Sequence, residues 1–531
     1  MRYLLHDVFL DTAHARPEST AMVLEDGSSF TYADLNKLSN QFAQFILQHK
    51  QSGIITDPYV GILSPVHERS VAAIIGALKA GCAYVPLDEA SPVERLRQIL
   101  DNTKLDLIIV DEHLRDKFLT LFDHEHVRHV LVLGRNAQKQ QKALTKITEY
   151  DALLACNDKE PLQRNQVSDD LAYILHSSGT TGVPKGVMLT HRNARTFVDW
   201  MHKEFALTTD DVVMSRAPFK FDLSIFDIFN TFKAGATLVC FDWNKAREGD
   251  AKHIDYVNLI SRAKASILYT TPSTLIVLMN RGNLHSQDIR LRTIMYAGEP
   301  FPIPQLQKLM VTLPHTRVAN IYGPTETNII TYYWVGTIAP EQTEIPLGDV
   351  VDDTEILVVS EDGTHICEIY EVGELWCRGG TVTLGYLGME DLTRKHQIMS
   401  PFHKYPAVFW RTGDFGYRDK DNLLHYRGRK DHMVKVKGFR IEIGEVESAV
   451  AQMPDIDEFA VVAKPDEKYG NRLHCFFSTL SGTLVERDVF ASFLSNKIPD
   501  YMIPFKFIQL PSLPKTSSGK VDRILLTSSE E

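Results

Sequence analysis

The chain has 531 residues, a formal net charge of −11 and a sequence pI near 6.0. That length exceeds one ordinary domain, and the acidic balance argues against nucleic acid as the main partner. Six cysteines without a CxxC pair argue against a zinc site or a disulfide framework, and no apolar run reaches membrane-spanning length. Charged residues appear too early at the N-terminus for a signal peptide, so we expect a cytoplasmic protein. We also expect it to be monomeric and to bind neither nucleic acid nor membrane.

Helical and strand patterns alternate through the first 350 residues. The stretch TYADLNKLSNQFAQFILQH at 31–49 predicts an amphipathic helix with Thr31 near its cap. Short apolar runs predict buried strands at 105–112, 129–134, 236–242, 265–273 and 291–300. This alternation indicates α/β layers.

The pattern changes twice in the last third of the chain. Strands and turns without much helix predict a small β unit from about 353 to 428, and a mixed α+β pattern follows after 431. We place a domain boundary at a strongly charged segment near Asp431. The predicted domains are therefore residues 1–430, the core, and residues 431–531, a small C-terminal domain.

The stretch SSGTTGVPKG at 177–186 follows a predicted strand and has no Walker spacing. Its hydroxyls, close-approach glycines and backbone N–H groups could form an anion nest, and Lys185 adds positive charge. A polar surface loop is the alternative. The candidate phosphate ligands are Ser177, Ser178, Gly179, Thr180, Thr181 and Gly182.

Two further stretches carry residues suited to a nucleotide. NIYGPTETN at 320–328 offers an aromatic face at Tyr322, and Glu326 between threonines (Thr325 among them) could hold Mg²⁺. The alternative is a Gly-Pro turn before a helix cap. In WRTGDFGYRD at 410–419, the Asp414 carboxylate could accept hydrogen bonds from both ribose hydroxyls. An aspartate in such a turn more often accepts hydrogen bonds from the backbone of its own turn.

The C-terminal part contains a basic run and a lysine in a Gly-Ser loop. Residues 427–440 hold six basic side chains against one acid, Asp431. This run is either a solvated strand face or a surface for an anionic partner. The lysine, Lys520, lies in LPKTSSGKVDR at 513–523 and would be unremarkable alone.

In this order and at these intervals, the five stretches resemble the adenylate-forming superfamily of acyl- and aryl-CoA ligases, luciferases and nonribosomal peptide synthesis adenylation domains. TYADL at 31–35, LKAGCAYVPLDEASPVERL at 78–96 and GELWCRGGTVTLGYLG at 373–388 match further motifs. The resemblance implies an α/β fold: a large N-terminal domain of two α/β/α subdomains plus a small β-barrel, with a small mobile α+β C-terminal domain.

The resemblance also implies the chemistry. The loop at 177–186 would wrap the β- and γ-phosphates of ATP while a carboxylate attacks the α-phosphorus, giving acyl-AMP and pyrophosphate. Tyr322 would stack on adenine, Asp414 would bind ribose, and Arg429 would reach ribose or a phosphate. Glu326 would hold Mg²⁺. Lys520, catalytic with Lys185 and Arg429, would bridge the substrate carboxylate and the nucleotide.

A second half-reaction follows in the superfamily after the small domain rotates. The hinge maps to Asp431, and rotation would replace Lys520 with the Gly438 strand, which lines a thiol tunnel. The sequence has no carrier domain after Lys520, so the expected acceptor is the phosphopantetheine of a separate carrier protein, or coenzyme A. The basic run at 427–440 would suit an acidic carrier.

Asp222 in FKFDLSIFDIF indicates the substrate class, because in amino-acid adenylation domains this aspartate pairs with the α-amine. A helix cap is the alternative. Beyond Asp222, Lys520 and the Tyr269 hydroxyl, the mapped pocket is apolar, which favours a small or medium apolar amino acid. Its residues are Leu223, Phe226, Tyr269, Met295, Ala297, Ile321, Ile329 and Ile330.

The pocket series resembles that of free-standing prolyl adenylation enzymes, with conservative departures at Phe226 and Met295 and among the isoleucines. L-Proline is therefore favoured, with valine, isoleucine, leucine and pipecolate left open. Two other classes stay open as alternatives: an acyl-CoA ligase for acids without an amine, and a non-catalytic relative. A P-loop kinase is excluded by the missing Walker spacing.

Overall fold

The computed structural model describes residues 3–56, 58–121, 124–134, 145–161, 166–177, 183–243, 249–429, 433–436, 438–466, 470–515 and 521–529. Within them, two large sheets lie in the core, a small curled β unit follows, and a separate α+β unit ends the chain. This is the α/β architecture that the sequence predicted.

The first large sheet has eight strands, and all its pairings are parallel except the two made by Lys185–Thr190, which lies second from one edge and runs antiparallel to both neighbours. The strand Leu171–Ser177 belongs to this sheet, and Ser177, the first residue of the predicted phosphate loop, lies at its carboxyl end. The strands in spatial order are Gly385–Tyr386, Lys185–Thr190, Leu171–Ser177, Ala83–Pro86, Tyr59–Leu63, Leu107–Asp111, His129–Leu133 and Lys146–Glu149.

The second large sheet has nine strands, and its five central pairings are parallel. Parallel strands buried on both faces read as apolar runs, which is why the sequence predicted them. In spatial order they are Asp349–Val350, Thr331–Val335, Arg317–Tyr322, Thr293–Ala297, Ile267–Thr270, Val212–Met214, Thr237–Cys240, Thr20–Leu24 and Ser29–Thr31.

Helices cover these sheets. Thr31 caps the helix Tyr32–Gln51 with a reciprocal capping box to Asp34, as the sequence predicted for Thr31. The helix Glu68–Lys79 packs closely against Tyr32–Gln51 at Gly76. A Cβ at position 76 would lie only 2.4 Å from the Cβ of Phe42, so glycine is needed for this close approach. The helical segments of the core are Asp7–Ala15, Tyr32–Gln51, Glu68–Lys79, Val93–Thr103, Glu112–Arg115, Leu119–Leu121, Tyr150–Leu154, His191–Phe205, Leu223–Ile225, Phe226–Asn230, Thr231–Ala234, Ala251–Arg262, Pro272–Arg281, Leu284–Ser286, Ile303–Thr312 and Glu390–His396.

The β unit is a five-stranded antiparallel sheet that curls against the core. Its last strand brings Arg429 opposite Asp414, so two candidate nucleotide ligands are neighbours across one ladder. The strands are Thr354–Val359, Gly373–Gly379, Gln397–Met399, Val408–Arg418 and Leu424–Arg429.

The C-terminal unit has its own hydrophobic core, built around residues such as Val446, Phe477 and Phe490. A two-stranded hairpin of this unit contacts the large core, where the Phe439 ring lies 5.4 Å from the Phe221 ring. The predicted boundary at Asp431 lies outside the described residues and stays a prediction. The elements are Met433–Val436, Phe439–Glu442, Ile443–Val450, Ile456–Asp466, Gly470–Thr479, Arg487–Ser495, Asp500–Met502, Lys506–Gln509 and Arg523–Ser528.

Candidate active site

A cavity of about 180 Å³ lies where carboxyl ends of strands from both large sheets meet the C-terminal hairpin. Ser177 ends one contributing strand, and Thr270 and Ala297 end two others. Ligands of open parallel sheets bind at such ends, because the loops that diverge there leave a crevice. The hairpin contributes Lys435, Gly438 and Phe439, so the cavity is closed by residues far apart in sequence.

Asp222 faces this cavity from the start of the one-turn helix Leu223–Ile225. Burial raises the pKa of its carboxyl to about 6, while the backbone N–H of Leu223 and the charge of Lys435 act in the opposite direction. The carboxylate makes no capping hydrogen bond to its helix. Asp222 therefore makes no regular N-cap hydrogen bond, although the Leu223 N–H acts on its carboxylate, and the buried carboxylate facing the cavity is suited to a ligand cation.

The structure divides the eight mapped pocket residues into two layers. Leu223, Tyr269, Ala297 and Ile329 line the cavity itself. Phe226, Met295, Ile321 and Ile330 are buried at 0–1% exposure in the surrounding cores. The Phe226 ring meets the Tyr269 ring edge-on at 5.5 Å, so the second layer fixes the position of the first.

The cavity as a whole is more polar than the sequence predicted. The additional cationic lining residues, which the pocket mapping did not include, are Arg95, Arg216, Lys220 and Lys435. Lys220 pairs with Asp88 at 2.6 Å, and the Arg216 guanidinium lies 4.2 Å from the centre of the Trp243 ring. Beneath Arg216, burial raises the pKa of Asp227 to about 8. Arg95, Lys220 and Lys435 stand inside stretches that the sequence analysis singled out, but no role was assigned to these three side chains, and Arg216 lies outside every such stretch.

Tyr322, Asp414 and Arg429, predicted to bind the nucleoside, are brought together. The Tyr322 hydroxyl donates to an Asp414 carboxylate oxygen at 2.7 Å, and Arg429 Nη1 lies 3.1 Å from the other oxygen. Tyr322 also lines an adjoining cavity of about 540 Å³, together with Gly298, Asn320 and Tyr426. This arrangement offers an aromatic face beside an oriented carboxylate.

The phosphate side is described only in part. Ser178, Gly179, Thr180, Thr181 and Gly182 lie outside the described residues. Ser177 lies opposite Lys185 in the antiparallel pair that flanks them, and Thr325 lines the cavity.

Lys185 and Glu326 are buried near this loop and have partners that the motifs did not predict. The Lys185 ammonium forms an ion pair with Glu442 at 3.1 Å and lies 5.9 Å from the centre of the Tyr386 ring. The Tyr386 hydroxyl donates to Glu326 Oε1 at 2.7 Å. A buried carboxylate with two oxygens in this place has the donor chemistry that Mg²⁺ prefers.

Gly438 forms the tip of the C-terminal hairpin and lies against the core. Its φ of +83° belongs to the left-handed region, and a Cβ there would lie 2.8 Å from Thr271 Cγ2. Both facts require glycine. The predicted hinge, Asp431, and the predicted catalytic lysine, Lys520, lie outside the described residues.

Buried charges and stacked rings hold the hairpin side of the cavity. Arg95 of the core forms an ion pair with Glu445, and both side chains are almost fully buried. The Phe439 and Tyr501 rings stack at 3.9 Å, and the Lys220 ammonium lies over both. The two units therefore meet through buried ion pairs and through contacts of Lys220 and the Phe221 ring of the core with Phe439.

The cavity has one wall from the large core and one from the C-terminal unit, which defines a class of two-domain proteins with a site at the domain junction. Comparison with known proteins agrees: the family described as AMP-binding enzyme matches residues 9–387, and the AMP-binding enzyme C-terminal domain matches residues 445–520. The chain therefore belongs to the AMP-binding, adenylate-forming enzyme family, which confirms the resemblance seen in its motifs.

Some of the relatives in sequence are much longer than this chain, whereas another has nearly the same length. The chain is 32% identical over 522 residues to bacitracin synthase 1 of Bacillus licheniformis, covering 98% of this chain but 9% of that protein. It is also 32% identical over 543 residues to the L-proline--[L-prolyl-carrier protein] ligase of Pseudomonas fluorescens, covering 99% of both.

Solved structures at lower identity share the fold. The Vibrio cholerae adenylation domain AlmE, in complex with glycyl-adenosine-5'-phosphate, is 22% identical and superposes with a TM-score of 0.84 over 99% of this chain and 97% of that one. The amide bond synthetase McbA of Marinactinospora thermotolerans is 20% identical and also gives 0.84, with 99% of each chain covered. Among the described helices, none is long and apolar enough to span a membrane.

Proposed function

We propose that this enzyme activates an apolar amino acid, L-proline in the first place, as its aminoacyl-AMP and then transfers it to the phosphopantetheine thiol of a carrier protein. The observation that carries the proposal is the Asp222 carboxylate, which faces the cavity from a buried position. A carboxylate held there without a cation is costly, and the ammonium of an amino acid supplies one.

The choice of proline is supported by the limited depth of the cavity, by the two N–H donors of the proline ammonium and by the name of one relative. The Phe226 and Tyr269 rings limit the depth of the apolar side. The secondary ammonium of proline carries two N–H donors, which a carboxylate with two oxygens can accept. The Pseudomonas fluorescens relative is named for proline and a prolyl carrier protein. Valine, isoleucine, leucine and pipecolate are the competing substrates.

In the first half-reaction, a proline carboxylate oxygen attacks the α-phosphorus of ATP, the bond between the α-phosphorus and the bridging oxygen breaks, and pyrophosphate leaves. Tyr322, Asp414 and Arg429 are proposed to hold the nucleoside, and Lys185 the β- and γ-phosphates. Lys520 is proposed to stabilise the charge that develops on the reacting oxygens. Mg²⁺ bound at Glu326 would neutralise phosphate charge, and the Tyr386 hydroxyl orients that carboxylate.

In the second half-reaction, the thiol sulfur attacks the acyl carbon, AMP leaves with the bonding electron pair, and the thiol proton passes to solvent or to phosphate. The Gly438 tip is proposed to line the thiol path, and residues 431–531 to move as a unit about Asp431. The basic lining at Lys435 lies on the same hairpin. If the small domain forms the path for the thiol, the same cavity can bind ATP in the first half-reaction and the carrier thiol in the second.

ATP–pyrophosphate exchange across the twenty amino acids and pipecolate tests the proposal. We expect L-proline to give the highest kcat/KM. The matched control is cyclopentanecarboxylate, which keeps the five-membered ring and carboxylate but has no amine, and it should give no exchange above background. A best substrate without an amine would overturn the amino-acid assignment, whereas another apolar amino acid would overturn proline alone. Thioester formation on a holo-carrier protein, compared with coenzyme A, then tests the acceptor.

A further inference from the structure

The ion pair between Lys185 and Glu442 joins the proposed phosphate site to the C-terminal hairpin. Lys185 Nζ lies 3.1 Å from Glu442 Oε1, and the two side chains are only 9% and 2% exposed. Glu442 ends the hairpin strand Phe439–Glu442, 257 residues further along the chain. A carboxylate of the C-terminal unit is therefore paired with the Lys185 ammonium, which the sequence motif assigns to the phosphates of ATP.

The surroundings of this pair are already negative. Lys185 lies over the ring of Tyr386, whose hydroxyl holds Glu326. Pyrophosphate bound to Lys185 would place several further negative charges beside the Glu442 carboxylate. Like charges at contact distance in a buried site repel strongly, because little solvent screens them. The hairpin position seen here and a phosphate-loaded Lys185 therefore disfavour each other.

We propose that Glu442 competes with pyrophosphate for Lys185, and so couples departure of the leaving group to docking of the hairpin. While the phosphates hold Lys185, the hairpin is kept from the cavity. Once pyrophosphate leaves, Glu442 replaces it on the same ammonium, and Gly438 reaches Thr271. Glu442 is a positioning residue in this scheme. The inference rests on the proposed function, because it takes pyrophosphate as the leaving group.

The test measures how pyrophosphate changes the docked fraction of the hairpin. Donor and acceptor dyes are placed on Val311→Cys in the core and Leu484→Cys in the C-terminal unit, which are 80% and 78% exposed. The two cysteines that are not buried, Cys156 and Cys367, are replaced by serine. Energy transfer is then titrated with pyrophosphate and Mg²⁺ at saturating AMP, so no acyl group and no chemistry are required.

Glu442→Gln is compared with Glu445→Gln, which weakens the same interface at Arg95 without touching Lys185. Both variants should dock less than the wild type in the absence of pyrophosphate. In the wild type and in Glu445→Gln, pyrophosphate should bind the undocked state about tenfold more tightly than the docked state, and so reduce energy transfer. In Glu442→Gln the two affinities should agree within about twofold, and pyrophosphate should no longer undock the hairpin.

An equal response of the two variants to pyrophosphate would overturn the proposal, since coupling would then belong to the interface as a whole. If Glu442→Gln does not fold, Lys185→Gln should lose the same coupling from the other side of the pair, and retained coupling there would overturn the proposal equally. Because AMP replaces the adenylate, loss of proline-dependent exchange with coupling intact would reject the proline assignment and leave this inference standing.

Discussion

The two walls of the cavity are held in place by different forces. The wall that carries Asp222 and Tyr269 belongs to the large hydrophobic core, with second-layer side chains such as Phe226 and Met295 fully buried behind it. The hairpin wall belongs to a separate core and meets the first wall through ion pairs and through the Lys220 ammonium, which lies over the Phe439 and Tyr501 rings.

The two kinds of contact suit two different functions, which are recognition of the substrate and movement of the hairpin during the reaction cycle. A wall held by apolar packing cannot separate without exposing hydrophobic surface to water, so it is suited to permanent recognition of the substrate. An ion pair can exchange one partner for another anion, so a wall held by ion pairs can be released and recaptured within a reaction cycle. Substitutions on the first wall should change which acid is activated, and substitutions on the second should change which half-reaction proceeds.

The largest effect is expected for Asp222→Asn on the permanent wall. Loss of one partner of a buried ion pair costs about 3–5 kcal/mol, so kcat/KM for proline in the exchange assay should fall about 10²- to 5 × 10³-fold. The matched control is Asp227→Asn, five residues further on, because burial raises the pKa of Asp227 to about 8 and keeps it largely neutral at pH 7. That variant should stay within a few-fold of the wild type, and an equal loss in both would reject the specific role of Asp222.

On the hairpin wall, Gly438→Ala should impair the second half-reaction and spare the first. Alanine must adopt a φ of +83° and place its Cβ 2.8 Å from Thr271, so the docked hairpin is disfavoured. Single-turnover thioester formation from preformed adenylate should slow at least about tenfold, while pyrophosphate exchange stays within about twofold. Gly482→Ala is the control, since it has a φ of +72° but open space around it. Equal losses in both half-reactions would contradict the division between the walls.

The pKa of Asp222 predicts how substrate binding depends on pH. The carboxyl must be ionised to bind an ammonium, and its pKa is raised to about 6 by burial. Above this pH the group is charged and binding is insensitive to pH, whereas below it kcat/KM for proline should fall about tenfold per pH unit. Exchange rates at saturating ATP between about pH 5 and 8 give this profile. The KM for ATP is the control, and a profile for proline that follows it would argue against Asp222 as the titrating group.

The smallest effect is expected for Phe226→Leu, which shortens a fully buried side chain behind the cavity wall. The shorter side chain removes the edge contact with the Tyr269 ring and deepens the cavity. One methylene in a hydrophobic pocket changes specificity by about 1–3 kcal/mol, so the ratio of kcat/KM for pipecolate to that for proline should rise roughly tenfold. Phe229→Leu, a buried change in the same helical segment, should leave the ratio unchanged.

Local signals predicted most elements and the family. The buried strand predicted at 105–112 is Leu107–Asp111, and the helix predicted at 31–49 is Tyr32–Gln51 with its Thr31 cap. The strand predicted at 265–273 ends early, at Thr270, because Thr271 caps the next helix and Pro272 begins it. Apolar runs cannot show such an ending, since the cap residue is itself common in strands.

The site was predictable where a motif carries it and unpredictable where contacts join distant segments. Asp222, Tyr322 and Asp414 stand in recognisable stretches, and the structure brings them to adjoining cavities. Arg95 also stands in such a stretch, but neither Arg95 nor Glu442 gave any signal of the residue with which it pairs. Their partners lie hundreds of residues away, and a charged residue in a helix or strand is most often solvated.

The sequence by itself determined the α/β class, the family and the chemical types available for the reaction, because periodicity, turn chemistry and motif order are local properties of the chain. Only the tertiary structure decided which lysine meets which carboxylate. Pairing of Lys185 with Glu442 depends on how two separately folded cores are placed against each other, and that placement follows from surface complementarity that no local stretch encodes.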